Sequence, residues 1–235
     1  MVFYAYVKQS TNYDSWRYVV AFASREVADE WWRAVSTSSV ASFTNSIKRV
    51  NAQFYLHDVN QANVANSLVT TGVATQFLNK VIFLLMDDLG GRQLSIIPSP
   101  SHFVDHVSEN SFYIRSKVSP YVYWYFPPDV IPTAVYVSHT ERTRFRIARH
   151  TSEGGHKGTI MIGSDHVHIT LTLASLSLDV DAKGQVILSS APREFLFGDL
   201  LGKFTVGPTV QDSKGQSLNM RELFYNENGE DWELA

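Results

Sequence analysis

The chain contains no cysteine. That one absence excludes disulfides, thiolate zinc sites, iron–sulfur clusters and thiol nucleophiles together. At 235 residues the chain is long enough to bury a core without covalent staples, as one large domain or two smaller ones. An excess of charge is also missing. Twenty basic against 23 acidic residues leave a formal net charge of −3, so no long-range field favours polyanions and nucleic acid is not an expected partner. Long apolar runs are absent too. The longest, Val81 to Met86, stops at Asp87-Asp88, far short of the roughly 20 residues that cross a bilayer as a helix. No membrane span is therefore expected. The opening Met1-Val2-Phe3-Tyr4-Ala5-Tyr6-Val7-Lys8 lacks the basic, apolar and small-residue order of a secretory leader. It reads as a strand, and the expected location is cytoplasmic.

Catalytic signatures are scarce as well. Gly-x-Ser-x-Gly, a phosphate-cradling glycine loop followed by Lys-Ser or Lys-Thr, and His-Glu-x-x-His do not occur. Gly154-Gly155-His156-Lys157-Gly158 is glycine-rich but sits between strand patterns, as a hairpin loop would. Asp87-Asp88 has the chemistry of a hard-cation site, yet with Leu89-Gly90-Gly91 behind it the simpler reading is a turn. No catalytic residue is assigned and no cofactor is expected.

What the chain does have is aromatic and β-branched sequence. Hydrophobic residues make up 44% and aromatics 13%, a balance that leans towards β structure. Residues 1–79 read as a small α+β unit. Phe3 to Val7 and Tyr18 to Phe22 form a hairpin pattern, and Ser24 is an N-cap for a helix over Arg25 to Val35, with Val27, Trp31, Ala34 and Val35 at helical spacing. Phe43 to Val50 reads as a second helical piece, Gln53 to His57 as a strand, and Asn60 to Leu68 permits a short helix. From residue 80 to 235 helical periodicity almost disappears. Short strand patterns recur at Val81 to Met86, Gln93 to Ile97, Phe112 to Lys117, Tyr121 to Phe126, Ala134 to Val137, Thr143 to Ala148, Thr159 to Ile162, His166 to Leu173, Leu176 to Val180 and Val186 to Leu188. Turn signals such as Ser119-Pro120 and Asp181-Ala182-Lys183-Gly184 separate them. The expected fold class is thus mainly β, with a small N-terminal α+β unit and a C-terminal sandwich or barrel-like all-β domain.

An internal echo narrows that choice. Ser111-Phe112-Tyr113-Ile114-Arg115-Ser116, Ala134-Val135-Tyr136-Val137-Ser138 and Thr143-Arg144-Phe145-Arg146-Ile147 are answered further on. The answering segments are Ala174-Ser175-Leu176-Ser177-Leu178-Asp179, Gln185-Val186-Ile187-Leu188-Ser189 and Arg193-Glu194-Phe195-Leu196-Phe197. This order resembles the repeats of β-trefoil proteins such as ricin-B-like lectins and the mycocypin-type protease inhibitors, and the resemblance implies that residues 80–235 form a β-trefoil or similar barrel-like domain. The resemblance covers the region from about Lys80 to the C-terminus and lacks the Gln-x-Trp signature of ricin-type repeats.

Four constellations are candidate sites. In Tyr121-Val122-Tyr123-Trp124-Tyr125-Phe126, strand geometry puts Tyr121, Tyr123 and Tyr125 on one face and Val122, Trp124 and Phe126 on the other. The run is either a stacking platform for sugar rings, with Trp124 included among the candidate ligand residues, or a core strand with its tyrosines packed between layers. Arg142, Arg144 and Arg146 line one strand face and suit phosphate, sulfate or a carboxylated sugar, unless Glu141, Glu109, Asp129 or Glu153 neutralise them. His166 and His168 share a strand side after Asp165 and suit a metal if His102 or His106 adds a ligand, while a solvated strand face explains them equally. Trp31 and Trp32 point about 100° apart on a helix. One should enter the core and the other lie at its edge, free for a contact between domains or with a second copy of the chain in a homodimer.

The leading expectation is a carbohydrate-binding, lectin-like protein without catalytic activity, whose partner is a carbohydrate or glycoprotein. A protein-interaction or protease-inhibitor module presenting Pro127-Pro128-Asp129 or Gly154-Gly155-His156 is the alternative, and a metal-dependent enzyme using His166 and His168 is the second. The C-terminal stretch reads as a last helical turn or strand at Met220 to Tyr225, followed by an acidic tail anchored by Trp232.

Overall fold

Ser24 accepts a hydrogen bond from the Val27 N–H, and the chain turns there from strand into helix. The computed structural model describes residues 1–11, 15–86, 104–127, 133–150 and 158–235, and divides into two units, Met1–Asp105 and His106–Ala235. In the first, β1 (Phe3–Gln9) and β2 (Tyr18–Phe22) pair antiparallel and lead into α1 (Arg25–Ser36) and α2 (Ala41–Ser46). Then come β3 (Ile47–Asn51), β4 (Phe54–His57), 3-10 turns at Val64–Leu68 and Thr75–Phe77, and β5 (Val81–Leu85). The sheet order is β3-β4-β1-β2-β5, with β1 and β4 parallel.

The helix and sheet meet over Trp31. Its ring is fully buried, lies 5.4 Å from Phe22 and 5.6 Å from Tyr55, and its Nε1–H donates to Ser67 Oγ at 3.1 Å. Trp32 is half-buried, its ring 5.7 Å from that of Tyr55, so the expected split between the two tryptophans is present. Beside them Asp29 is buried and receives Arg25 Nε at 2.9 Å and Arg49 at 2.8 Å, while Arg49 also reaches Asp105 at 2.8 Å. Burial opposes the Arg49 charge, but Tyr55, Asp29 and Asp105 outweigh it and hold its pKa above the ordinary arginine value.

Two readings of this region change. Of the Phe43 to Val50 segment only Phe43 to Ser46, the end of α2, is helical, because Ile47 to Asn51 pairs antiparallel with β4 and its burial alternates with period two. Val81–Leu85 is a strand, but it pairs with β2 along its whole length and so belongs to the first unit, which extends past residue 79. Asp87-Asp88, Leu89-Gly90-Gly91 and the Gln93 to Ile97 pattern lie outside the described residues.

The second unit is almost wholly β. Its strands are β6 (Ser111–Ser116), β7 (Tyr123–Tyr125), β8 (Tyr136–Ser138), β9 (Arg144–Arg149), β10 (His166–Leu171) and β11 (Ser177–Val180). They continue with β12 (Val186–Ser189), β13 (Phe195–Leu196), a 3-10 turn at Phe197–Leu201, β14 (Phe204–Gln211), β15 (Ser217–Tyr225) and β16 (Trp232–Leu234). The path is β12-β11-β10-β9-β6-β7-β8-β15-β14, with β13 added on β10 and β16 on β6. Isolated bridges Ala134–Ile187 and Gln185–Phe224 bring β12 back to the segment before β8 and to the end of β15. The sheet therefore curls, barrel-like, around its inner side chains.

That interior is built on rings. Trp124 lies 4.7 Å from Phe204, 5.8 Å from Trp232 and 5.9 Å from Phe145. Trp232 Nε1–H donates to the Phe204 carbonyl at 2.9 Å. The segment read as an acidic tail thus ends in a core strand, β16, paired with β6. Met220 to Tyr225 is strand, as part of β15. The expected strand at Thr159 to Ile162 is reduced to a single bridge between Ile160 and Val107.

Two hairpins close on the same five-residue turn. In Asp181-Ala182-Lys183-Gly184-Gln185 the Asp181 carboxylate accepts the Lys183 and Gln185 N–H groups at 2.8 Å, and Gly184 sits at φ +85°. In Asp212-Ser213-Lys214-Gly215-Gln216, Asp212 accepts from Lys214 and Gln216 at 2.8 Å, with Gly215 at φ +77°. A positive φ costs an L-residue about 1 kcal/mol or more. The two glycines differ in their surroundings: a Cβ on Gly215 meets nothing within 4 Å, whereas one on Gly184 comes 3.2 Å from the Tyr225 carbonyl oxygen. Gly215→Ala should therefore destabilise the protein by about 1 kcal/mol and Gly184→Ala by more. Urea denaturation followed by far-UV circular dichroism measures both, and a Gly184→Ala loss no larger than that of Gly215→Ala would contradict the crowding assigned to the first turn.

Candidate functional site

Period-two alternation in three neighbouring strands builds one outer surface. In the β9 region Thr143, Phe145 and Ile147 are buried, and Arg142, Arg144 and Arg146 are exposed. In β6 Phe112 and Ile114 face inward, and Ser111, Tyr113 and Arg115 are half-buried on the other side. In β7 Trp124 faces inward between Tyr123 and Tyr125. Register then sets Tyr113 opposite Arg144 and Arg115 opposite Tyr123.

On this surface the arginines lie over the tyrosines. The Arg142 guanidinium is 4.5 Å from the Tyr113 ring centre and 5.7 Å from Tyr123, and Arg144 is 4.8 Å from Tyr113. Arg115 covers Tyr121 at 4.7 Å and pairs with Glu233 at 2.6 Å. A guanidinium stacked on a ring keeps its N–H edge available, so cation–π contact leaves hydrogen-bonding capacity for a ligand. Arg146 pairs with Glu109. Among the described residues no carboxylate pairs with Arg142 or Arg144; Asp129 and Glu153 lie outside them, as do Pro128 and Gly154 to Lys157. An open depression of about 450 Å³ adjoins the row, lined by Arg146, Thr170, Thr172, Leu173 and Ser175.

The aromatic run thus divides. Tyr121 is exposed and precedes the strand, Tyr123 and Tyr125 are half-buried on the outer side, and Trp124 is a core residue that no ligand on this face can reach. Its inclusion among ligand residues is corrected by the same alternation that separates it from the tyrosines. Tyr113, outside the run, is the ring that Arg142 and Arg144 both cover. Only its strand position, opposite Arg144, identifies it.

A second cluster stands on the same face. His166 and His168 project from β10 on one side, as expected, but Asp165 turns inward and accepts Arg149 Nε at 3.0 Å and the Ile162 N–H at 2.8 Å. The groups that join the histidines are His150 and Glu194. Glu194 lies 3.1 Å from His150 Nε2 and 3.2 Å from His166 Nδ1, and the His150 and His168 rings are 4.7 Å apart. Burial pushes the His168 pKa down, proximity to His150 adds to this, and Glu194 opposes it. His106 packs instead on Phe197 at 5.4 Å, and His102 lies outside the described residues.

The Tyr113 hydroxyl is held below the ordinary tyrosine pKa, chiefly by hydrogen bonding to the Arg144 guanidinium; burial opposes this, and the charges of Arg144 and Arg142 and a contribution from Arg142 hydrogen bonding outweigh it. Stabilising the phenolate favours ionisation, so removing the cation must raise the pKa. A spectrophotometric pH titration of the protein, with Tyr113→Phe as the blank, should show this phenol ionising below about 10. In Arg144→Ala it should return upward, and an unchanged midpoint would mean that the guanidinium does not engage the hydroxyl in solution.

Compared with known proteins, the chain matches no family model, no curated protein and no solved structure.

Proposed function

We propose that the second unit is a β-trefoil that binds acidic carbohydrate, free or on a glycoprotein, on the face formed by Tyr113, Tyr121, Tyr123, Arg142 and Arg144, and that it acts as a binding module and not as an enzyme. The observation that carries the reading is the pair of guanidinium groups, Arg142 and Arg144, stacked on one exposed-side tyrosine with no carboxylate paired to them among the described residues. Tyrosine offers an apolar ring face and a hydroxyl to a sugar, and arginine offers a planar fork to a carboxylate or sulfate. A chain of net charge −3 has no general attraction for anions, so selectivity for acidic ligands would be local to this face.

Support for the trefoil comes from a pairing that recurs. Strand β6 pairs with β9, β10 pairs with β13, and β14 meets the segment before β16 through the Phe204–Glu230 bridge. Between the members of each pair lies a hairpin or its equivalent: β7–β8, β11–β12, and the joined β14–β15. The first group connects to the second through β9–β10 and to the last through β6–β16, and the second meets the last at the Gln185–Phe224 bridge. Three such groups in cyclic order are what the resemblance to ricin-B-like lectins and mycocypin-type inhibitors leads one to expect.

A glycan array carrying neutral, carboxylated and sulfated chains tests the proposal. Binding should be confined to acidic glycans and weaken as salt rises, because it rests on exposed charges. Arg144→Ala and Tyr113→Ala should each lose about tenfold or more in affinity, roughly 1.4 kcal/mol, with the far-UV spectrum unchanged. Silence of the folded protein across the array would overturn the reading, and inhibition of proteases by the same sample would favour the inhibitory alternative.

A further inference from the structure

We propose that His150, His168 and Glu194 form a binding site for one divalent transition-metal ion of the zinc class. The inference does not depend on carbohydrate binding, since it uses none of the tyrosines or arginines above.

Its basis is convergence from three separate chain segments. His150 follows β9, His168 is the third residue of β10, and Glu194 immediately precedes β13. Strands β9 and β13 both pair with β10, so the backbones that carry the three side chains are fixed by the sheet. One ligand atom from each residue lies within 4.8 Å of the others. In a tetrahedral zinc site with bonds of about 2.0–2.1 Å, ligand atoms stand about 3.3 Å apart. Closing the difference takes only side-chain rotation, because His150 and Glu194 are 48% and 43% exposed.

The donor set is selective in kind. Two imidazole nitrogens and one carboxylate oxygen suit zinc, nickel, copper or cobalt, whereas calcium and magnesium prefer all-oxygen shells. Three protein ligands leave a position for water, as in open zinc sites. A metal accepts the neutral imidazole through a ring-nitrogen lone pair. The remaining carboxylate oxygen of Glu194 faces His166 Nδ1 at 3.2 Å. That contact orients the carboxylate and makes His166 a positioning residue and not the primary ligand.

Untagged, chelator-treated protein titrated with Zn²⁺ by calorimetry, and with Co²⁺ by visible absorption, tests the site. One ion per chain is expected. His150→Ala, His168→Ala and Glu194→Gln should each weaken Zn²⁺ binding by about tenfold or more, and His166→Ala by less. Glu194→Gln keeps the proposal testable if a histidine variant fails to fold, because that side chain is exposed and nearly isosteric with its replacement. No saturable binding of either ion below about 100 μM would overturn the assignment, as would affinity unchanged in Glu194→Gln and the His150→Ala/His168→Ala double variant.

Discussion

The packing of Trp124 against Phe204, Trp232 and Phe145 determines which way the strands of the second unit face. Each large ring removes about 150–250 Å² from water, roughly 4–6 kcal/mol at 25 cal/mol per Å². These rings come from β7, β9, β14 and β16, so their burial sets the parity of strands far apart in sequence. Because side chains alternate, a slip of one residue in any of them would turn its buried ring to solvent and its outward residues into the core. The Arg142, Arg144 and Arg146 row and the outward tyrosines are therefore positioned by rings buried on the opposite side of the sheet. One cost remains within this core. Trp124 Nε1–H finds no acceptor among the described residues, whereas Trp232 bonds the Phe204 carbonyl, so shape complementarity and not hydrogen bonding holds the first ring.

Parity is also what was most legible beforehand. Alternation correctly separated Phe145 and Ile147 from the three arginines, and Val122 and Trp124 from the tyrosines. Helical spacing with a serine cap located α1, and Asp181-Ala182-Lys183-Gly184 located a turn. The identical spacing at Asp212-Ser213-Lys214-Gly215-Gln216 was an available signal for the β14–β15 hairpin, which the reading of the C-terminal stretch missed. Adjacency was not legible. Nothing local says that Val81–Leu85 pairs with β2, or that Glu194 lies beside His150, because such neighbours are fixed by pairings between segments distant in the chain. The same holds for Tyr113, which alternation places on a face but only register places under Arg144.

The two units use arginine in opposite ways, and desolvation is the difference. Arg49 is nearly inaccessible, and Asp29, Asp105 and Tyr55 surround it; a guanidinium taken from water needs such partners to remain charged. Removing Asp29 would leave this buried guanidinium with Asp105 as its one carboxylate partner among the described residues, so the cluster is structural. Arg142 and Arg144 stay in contact with water, where a ring face suffices to hold the guanidinium and no carboxylate is required. An arginine satisfied by carboxylates has little left to offer an incoming anion. One resting on tyrosine retains both its charge and its fork, which is why the exposed row, despite weaker internal contacts, is the chemically available one.

Register also explains how two proposed sites share a surface without sharing side chains. Going along β9, Ala148 lies opposite His168, Arg146 opposite Thr170 and Ser111, and Arg144 opposite Tyr113. From His150 to Arg144 is six residues, roughly 20 Å at about 3.3 Å per strand residue. Arg146, paired with Glu109, and the Thr170 hydroxyl occupy the interval. At that separation, across exposed surface, the charge of a metal ion at the imidazole end would be screened at physiological salt, since the distance exceeds two Debye lengths of about 8 Å. The imidazole–carboxylate cluster and the tyrosine–arginine face are thus electrostatically independent, although one sheet and one ring-packed interior hold both in place.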